Sequence, residues 1–235
     1  TGRKAYVTRT HVDYYTDAID YTKLKPLAEF DRASSGSGSA LHGEVHVVRR
    51  VTGYKKIRYY SHENIGYGPV NLPDQELQTT AVWWQLSPAA IDSAFRTRFE
   101  ALDGFLGAAY ALHTVATLLS MCEPRDLGKA VGSGDQDWSA QVSAKGRGEL
   151  RSAAGEALDP ATVSQFAPSV YLYDNYPGGI GLSRPLYERR EELVRAAIGL
   201  VSGCRCGQGC PACVGPILAS DESRSPRGSA LKVLE

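Results

Sequence analysis

Four of the chain's five cysteines, Cys204, Cys206, Cys210 and Cys213, crowd into GCRCGQGCPACVG at residues 203–215. The spacing C-x-C-x3-C-x2-C suits a tetrahedral zinc ion, whose sulfur ligands at ~2.3 Å stand about 3.8 Å apart. Loops this short reach that geometry only where the backbone turns sharply. Gly203, Gly207 and Gly209 are expected to supply positive φ and Pro211 a second bend, with Cys213 completing a C-P-x-C turn. Four thiolates close the coordination shell and leave no position for water or substrate, so the expected cofactor, one Zn2+ per chain, is structural and not catalytic. Three other readings stay open on spacing alone. A disulfide framework would strain bridges between cysteines this close in sequence, and no secretory signal accompanies it. An iron–sulfur cluster also takes four thiolates, though the ferredoxin run C-x2-C-x2-C differs from this one. A redox pair at Cys210 and Cys213 leaves the two neighbouring thiols unexplained.

Other residues carry weaker signals. YDNYPGGIGLS, from Tyr173, sets a glycine turn before a helix start, an arrangement that can cradle an anion with backbone amides. It lacks the spacing of a dinucleotide fingerprint or a Walker loop, so tight strand-to-helix packing is the plainer reading, with Asp174 pinning the turn. VVRRVTGYKKIRYY interleaves Arg49, Arg50, Lys55, Lys56 and Arg58 with Tyr54, Tyr59 and Tyr60. Cations for phosphate and rings for bases make this the candidate DNA surface, against the duller reading of a solvated hairpin with edge-protecting charges. His113 reads as a satisfied core histidine, Cys122 as unneeded by a four-thiolate site, and Arg125 and Asp126 as loop hydrogen-bonding residues. The rival to a structural zinc domain is a self-contained enzyme: a thiol redox protein using Cys210 and Cys213, or a hydrolase using Asp174, Asp126 and His113.

The elements that must position these residues read as α+β. Antiparallel strands fill the N-terminal third, in KAYVTRTHVDYY, GEVHVVRRVTGYKKIRYY and TTAVWWQL, rich in Val, Tyr, Thr and Trp. Between the first two, DRASSGSGSALHG reads as a flexible loop without site chemistry. From Ser87, a cap followed by Pro88, the chain turns helical, with Phe105, Ala108, Ala109, Leu112, Ala116 and Leu119 on one face. GFLGAAYALHTVATLLSM is long enough to cross a bilayer, yet its weak hydrophobicity and His113 favour a buried core helix, and no membrane partner is expected. Residues 132–160 read as a loose connection with room for one short helix. After Pro168 come the strand SVYLYD, the glycine turn, and a helix capped by Ser183, with Leu186, Leu193, Val194, Ala197, Ile198 and Val201 inward. The helix stops at Gly203, where the cysteines begin. The expected division is a β-rich part over residues 1–86 and a helical part over 87–235, together one accessory domain. With 26 basic and 26 acidic residues, net charge points to no partner. The chain lacks an initiating Met and opens mid-pattern, as expected of a piece of a longer protein.

Taken together, Y-D-x-x-P-G-G-x-G-L, a helix and C-x-C-x3-C-P-x-C resemble the C-terminal zinc-binding domain of MrfA-type (mitomycin repair factor A) DEAD/DEAH-box DNA helicases. DYYT, VTGYKKIRYYS, LPDQELQTTAVWW and CEPRDLG extend the likeness along most of the chain, while the Ser/Gly loop and the end ASDESRSPRGSALKVLE depart from it. The resemblance implies zinc ligation by Cys204, Cys206, Cys210 and Cys213. It also implies a place beside the motor domains of an ATP-dependent 3′ to 5′ helicase that acts on single-stranded or forked DNA in repair, in the bacterial cytoplasm. These 235 residues contain neither G-x-x-x-x-G-K-[ST] nor a DEAD/DEAH box, so no ATPase chemistry is expected of them.

Overall fold

The computed structural model describes residues 4, 6–61, 63–132, 139–140, 168–215 and 225–235. Two long strands lead, β1 (Tyr14–Ser35) and β2 (Gly38–Arg58), joined at Gly36, whose φ of +54° is left-handed. The Ser/Gly run expected as a flexible loop is therefore a hairpin turn with the ends of its two strands. Small residues here allow close approach: a Cβ on Gly43 would collide with the Ala28 carbonyl oxygen. The first expected strand, residues 4–15, becomes regular only at Tyr14.

β3 (Asn64–Pro69) folds back on the far half of β2, and β4 (Gln75–Leu86) pairs antiparallel with the near half, from Gly38↔Leu86 to Arg49↔Gln75. β5 (Leu127–Gly132), β6 (Ser139–Ala140) and β7 (Ser169–Asp174) complete a sheet ordered β5-β7-β4-β2-β1-β6, with β3 beside β2. Apart from Ser139 and Ala140, the segment expected as a loose connection lies mostly outside the described residues. The sheet shows period-two sorting. Val82, Val170, Leu172, Leu127 and Val131 face one apolar cluster, and Leu41, Val45, Trp83, Ala130 and Tyr171 face another. β7 is buried at all six positions, which is why SVYLYD reads as an almost unbroken apolar run.

The first cluster is roofed by helices. α1 (Pro88–Ala94) starts where Ser87 accepts a hydrogen bond from the Ala90 amide, with Pro88 in the first turn, as expected. It stops at Phe95, so the expected single helix is two. α2 (Arg98–Ser120) restarts behind Thr97, whose hydroxyl caps the Glu100 amide, and buries Phe105, Ala108, Ala109, Leu112 and Ala116. The stretch Glu100–Ser120 is long and apolar enough to span a membrane by composition, but 61% of it is buried inside the protein, as a core helix. α3 (Ser183–Glu188) and α4 (Arg190–Gly203) take the place of one expected helix. Ser183 lies inside α3 and does not cap it: the position before it is Leu182, with no side-chain cap. α5 (Pro226–Leu234) falls in the segment that the sequence left unread. It packs tightly on α2, because a Cβ on Gly104 would stand 2.6 Å from the Ser229 carbonyl oxygen and one on Gly107 2.9 Å from Ala230.

The chain divides into two compact units: Thr1–Tyr21 with Arg50–Asp74, and Thr22–Arg49 with Gln75–Glu235. The first is built from the far half of β2, β3 and the start of β1. The second holds both apolar clusters, all the helices among the described residues and the four-cysteine segment.

Candidate metal centre

Strand β7 delivers the chain to the site through the glycine turn. Asp174, fully buried at its end, accepts four backbone N–H bonds: Ile180, Gly181 and Leu182 donate to Oδ2 at 2.8–3.0 Å and Ser183 to Oδ1 at 3.0 Å. The amides that could cradle an anion are thus taken by the chain's own carboxylate. Gly178, Gly179 and Gly181 have φ near +80 to +90° (78°, 78° and 89°), and a Cβ on Gly179 would lie 2.6 Å from Thr80 Oγ1. Ser183 Oγ donates to that same Thr80 oxygen at 2.8 Å. This fixes the start of α3 on β4 and, through α4, aims the cysteine segment. Leu193, Ala197 and Val201 bury the inner face of α4, with Val194 and Ile198 half-buried beside them.

At the end of α4 the four thiols converge. Their sulfurs all lie within 4.8 Å of one another, with Cys204–Cys210 at 3.7 Å, Cys206–Cys213 at 3.5 Å and Cys210–Cys213 at 3.7 Å. These separations match the ~3.8 Å edge of a four-sulfur zinc shell, and none of the cysteines is in a disulfide. Backbone turns achieve this much as expected, with one correction. Of the three glycines expected at positive φ only Gly209, at +135°, is there; Gly203 is the last residue of α4 and Gly207 has no left-handed backbone. The C-P-A-C turn is closed by the Cys213 and Val214 amides, which both donate to the Cys210 carbonyl at 3.1 Å.

The pocket's chemistry is uneven. The Cys206 amide, with help from neighbouring thiols, pulls the Cys204 thiol down to about 7, whereas burial pushes Cys213 up to about 12 and raises Cys206. A fully buried thiol of that kind ionises at neutral pH only beside a cation, which is the compensation a bound divalent metal provides. Cys213 and Val214 belong to the apolar cluster under α2, so the site is fused to the core.

A residue that sequence reasoning missed closes the site. From α5 the Arg227 guanidinium donates Nε to Val201 O at 3.0 Å, Nη2 to Ser202 O at 2.7 Å and Nη1 to Cys206 O at 2.7 Å. Its backbone amide donates to Gln208 O at 2.9 Å. One cation thereby satisfies orphan carbonyls at the α4 C-terminus, where the helix dipole favours positive charge, and pins the loop between the first and second cysteine pairs. The available signal was Ser225-Pro226, a cap followed by a first-turn proline that marks a helix start.

The other candidates lie elsewhere. His113, 7% exposed, donates Nε2 to Leu127 O at 2.8 Å and stands 3.2 Å from Pro124 O; burial, then the Lys129 charge, holds its pKa below the usual value. Asp126 accepts from the Tyr176 hydroxyl at 2.7 Å and from the Glu123 amide at 3.0 Å, and Arg125 lends its carbonyl to Asn175. Cys122 stands outside the four-thiol cluster, its pKa raised by burial. An open cleft between β2, β4 and the glycine turn is lined by Phe30, Glu44, His46, Glu76, Pro177 and Gly178, and none of Asp174, Asp126 and His113 lines it. On β2, Arg50 forms a two-pronged pair with Asp74 at 2.6 Å, Arg58 lies 3.2 Å from Glu63 and 3.4 Å from Asp13, and Lys55 is 3.9 Å from Asp17. Lys56 sits 5.0 Å over the Tyr14 ring, and Arg49 is an exposed residue opposite Gln75.

Comparison with known proteins places this geometry. Residues 108–214 match the model of the MrfA Zn-binding domain. The chain is 34% identical over 214 residues to the uncharacterized ATP-dependent helicase YprA of Bacillus subtilis (strain 168), an alignment covering 91% of this chain and 24% of that protein. It thus spans about a quarter of that relative's length. A 45-residue stretch is 38% identical to the uncharacterized protein MJ1572.1 of Methanocaldococcus jannaschii, covering 19% of this chain and 40% of that one. Among solved structures, the DUF1998 helicase MrfA bound to DNA superposes with a TM-score of 0.62 at 27% identity, over 96% of this chain and 26% of that one. The same helicase in another crystal structure gives 0.52 at 25% identity, over 85% and 23%.

Proposed function

This chain carries an MrfA-type zinc-binding domain, and from that premise we propose that it is a zinc-stapled, non-catalytic accessory part of an ATP-dependent DNA helicase acting in repair. Its motor domains belong to the same polypeptide, outside these 235 residues. Cys204, Cys206, Cys210 and Cys213 hold one zinc, which when bound supplies a closed cross-link and no Lewis-acid chemistry on a substrate. The observation that carries this reading is the convergence of the four sulfurs within 4.8 Å. It is supported by the core position of Cys213 and by the Arg227 clamp, both suited to transmitting rigidity from the ion to α2, α4 and α5. The similarity to a DNA-bound helicase supports the remainder.

DNA contact through Arg49, Arg50, Lys55, Lys56 and Arg58 is part of the proposal. Exposed ion pairs contribute only ~0–1 kcal/mol each, so Arg50, Lys55 and Arg58 can exchange a carboxylate partner for a phosphate at small cost. The test is made in the intact polypeptide. Cys210→Ser should abolish strand unwinding, while charge-removing variants of the five basic residues should weaken DNA binding and flatten its salt dependence. Normal unwinding by Cys210→Ser would refute the accessory role, and unchanged binding and salt slope in the basic-residue variants would remove the DNA contact.

A further inference from the structure

Tyrosines are unevenly placed in this chain. The segments Thr1–Tyr21 and Arg50–Asp74, which form the smaller compact unit, hold four each of the chain's 13. Three of them gather at the outer end of the β2–β3 hairpin. Tyr15, at the start of β1, has its ring 5.7 Å from that of Tyr59, and Tyr59 lies 6.5 Å from Tyr60. The turn is held by the Arg58 amide donating to Glu63 O, the Tyr59 amide to Asp13 O and the Ser61 amide to Tyr59 O.

Tyr60 is the odd residue in this turn. Its φ is +67°, a left-handed backbone that glycine or asparagine adopts at far lower cost, and the residue is 99% exposed. A bulky ring is therefore held in a disfavoured backbone state and displayed to solvent, and the observation of such an outlier points to a use for the ring. The adjacent cations do not account for it, since Arg58, Lys55 and Arg50 each face a carboxylate. What the tip offers is three neighbouring rings, mutually tilted by 39° and 57°, on a unit in which lysine and arginine outnumber aspartate and glutamate seven to five, while the whole chain is balanced at 26 and 26. A partner with stackable flat rings on a negatively charged thread fits both properties. We propose that Tyr60, backed by Tyr59 and Tyr15, is a stacking platform for unpaired bases of single-stranded DNA. The proposal rests on the DNA-contact reading above and deepens it: the rings, more than the charges, set the preference for unpaired strands.

The test is fluorescence anisotropy of a labelled oligothymidine, and of a blunt duplex of matched length, with the zinc-loaded chain. Tyr60→Ala should weaken single-strand binding about 5- to 150-fold, the range for loss of one base–aromatic stack, with the salt slope unchanged and duplex binding little altered. Tyr60→Phe should bind as the parent does. Tyr60→Gly suits the left-handed backbone, so it should retain thermal stability while losing single-strand affinity, which separates the ring's role from the turn's. Parent-like affinity in Tyr60→Ala and Tyr60→Gly would overturn the platform. If Arg50→Ala and Arg58→Ala still weakened binding, the broader DNA contact would stand without it. No binding of oligothymidine by the parent chain would overturn both. Equal loss on single strand and duplex, or intact DNA binding with lost association between this part and the motor domains, would also refute base stacking, the latter assigning the tip to protein.

Discussion

Removing the Arg227 guanidinium, by Arg227→Ala, isolates the link between α5 and the metal loop. Three bonds are lost, to the carbonyls of Val201, Ser202 and Cys206 at 2.7–3.0 Å. A hydrogen bond from a charged donor contributes about 1.5–3 kcal/mol when buried. Arg227 is half-buried, so water can replace part of each bond, and about 1 kcal/mol apiece is the appropriate figure. The total is about 2–3 kcal/mol, a loss spread between the docking of α5 and the pinning of Cys206. Partners that orient metal ligands typically change metal affinity 10- to 100-fold, roughly 1.4–2.8 kcal/mol, which is the same size. The expected outcome is therefore zinc binding weakened about 10- to 100-fold in competition with a chromophoric chelator, together with a lower melting temperature of the zinc-loaded chain. Arg227→Lys should fall between, since a single ammonium cannot span three carbonyls. Zinc affinity within about twofold of the parent in Arg227→Ala, or full retention in Arg227→Lys, would refute the clamp.

Asp174→Asn should lower stability by at least about 3 kcal/mol in urea unfolding, because a neutral amide directs N–H groups at some of the four amides the carboxylate now serves. Gly107→Ala should displace α5, since its Cβ would meet Ala230 at 2.9 Å and Val214 at 3.2 Å; protection of residues 226–234 from amide exchange should fall. His113 predicts a pH effect whose sign follows from its lowered folded-state pKa: the unfolded chain takes up the proton more readily. The contribution is fully present above about pH 6.5 and is lost as pH falls through the folded pKa, by at most about 1.4 kcal/mol per pH unit. In His113→Gln the difference in urea midpoint between about pH 7.5 and about pH 5.5 should shrink, and an undiminished difference would contradict the assignment.

How far the sequence carried this account depends on whether the controlling interaction was local. The four-thiol convergence was legible because short loops force it, as was the Ser87 cap, because capping is decided within three residues. The buried face of α2 was legible because a three-to-four residue period records one long contact. The two-helix break at Arg189 and the hairpin at Gly36 were not. Serine and glycine have the same composition in a mobile linker and in a strand end that must pass close to a neighbour, and only the position of Ala28 against Gly43 decides between them. β5 has no alternating pattern to announce it, being held by pairing with β7 and by burial on both sides. Arg227 was invisible for the same reason. Its three acceptors lie 21 to 26 residues earlier in the chain, and nothing in RSPRGS marks them. Conversely, the basic residues on β2 were easy to see, while their carboxylate partners, Asp17 on β1 and Asp13, Glu63 and Asp74 just before β1, β3 and β4, were not.

The four-cysteine site holds its helices together only if it carries the ion. Metal analysis of the purified chain, followed by far-ultraviolet circular dichroism during titration with a strong chelator, tests it most directly. One zinc per chain and loss of helical signal in step with zinc release are expected, because structural four-ligand sites contribute about 10–16 kcal/mol of apparent binding energy, comparable with a whole domain's net stability. A chain that is metal-free as purified yet fully folded, or one whose helical signal and melting temperature survive complete removal of zinc, would contradict it.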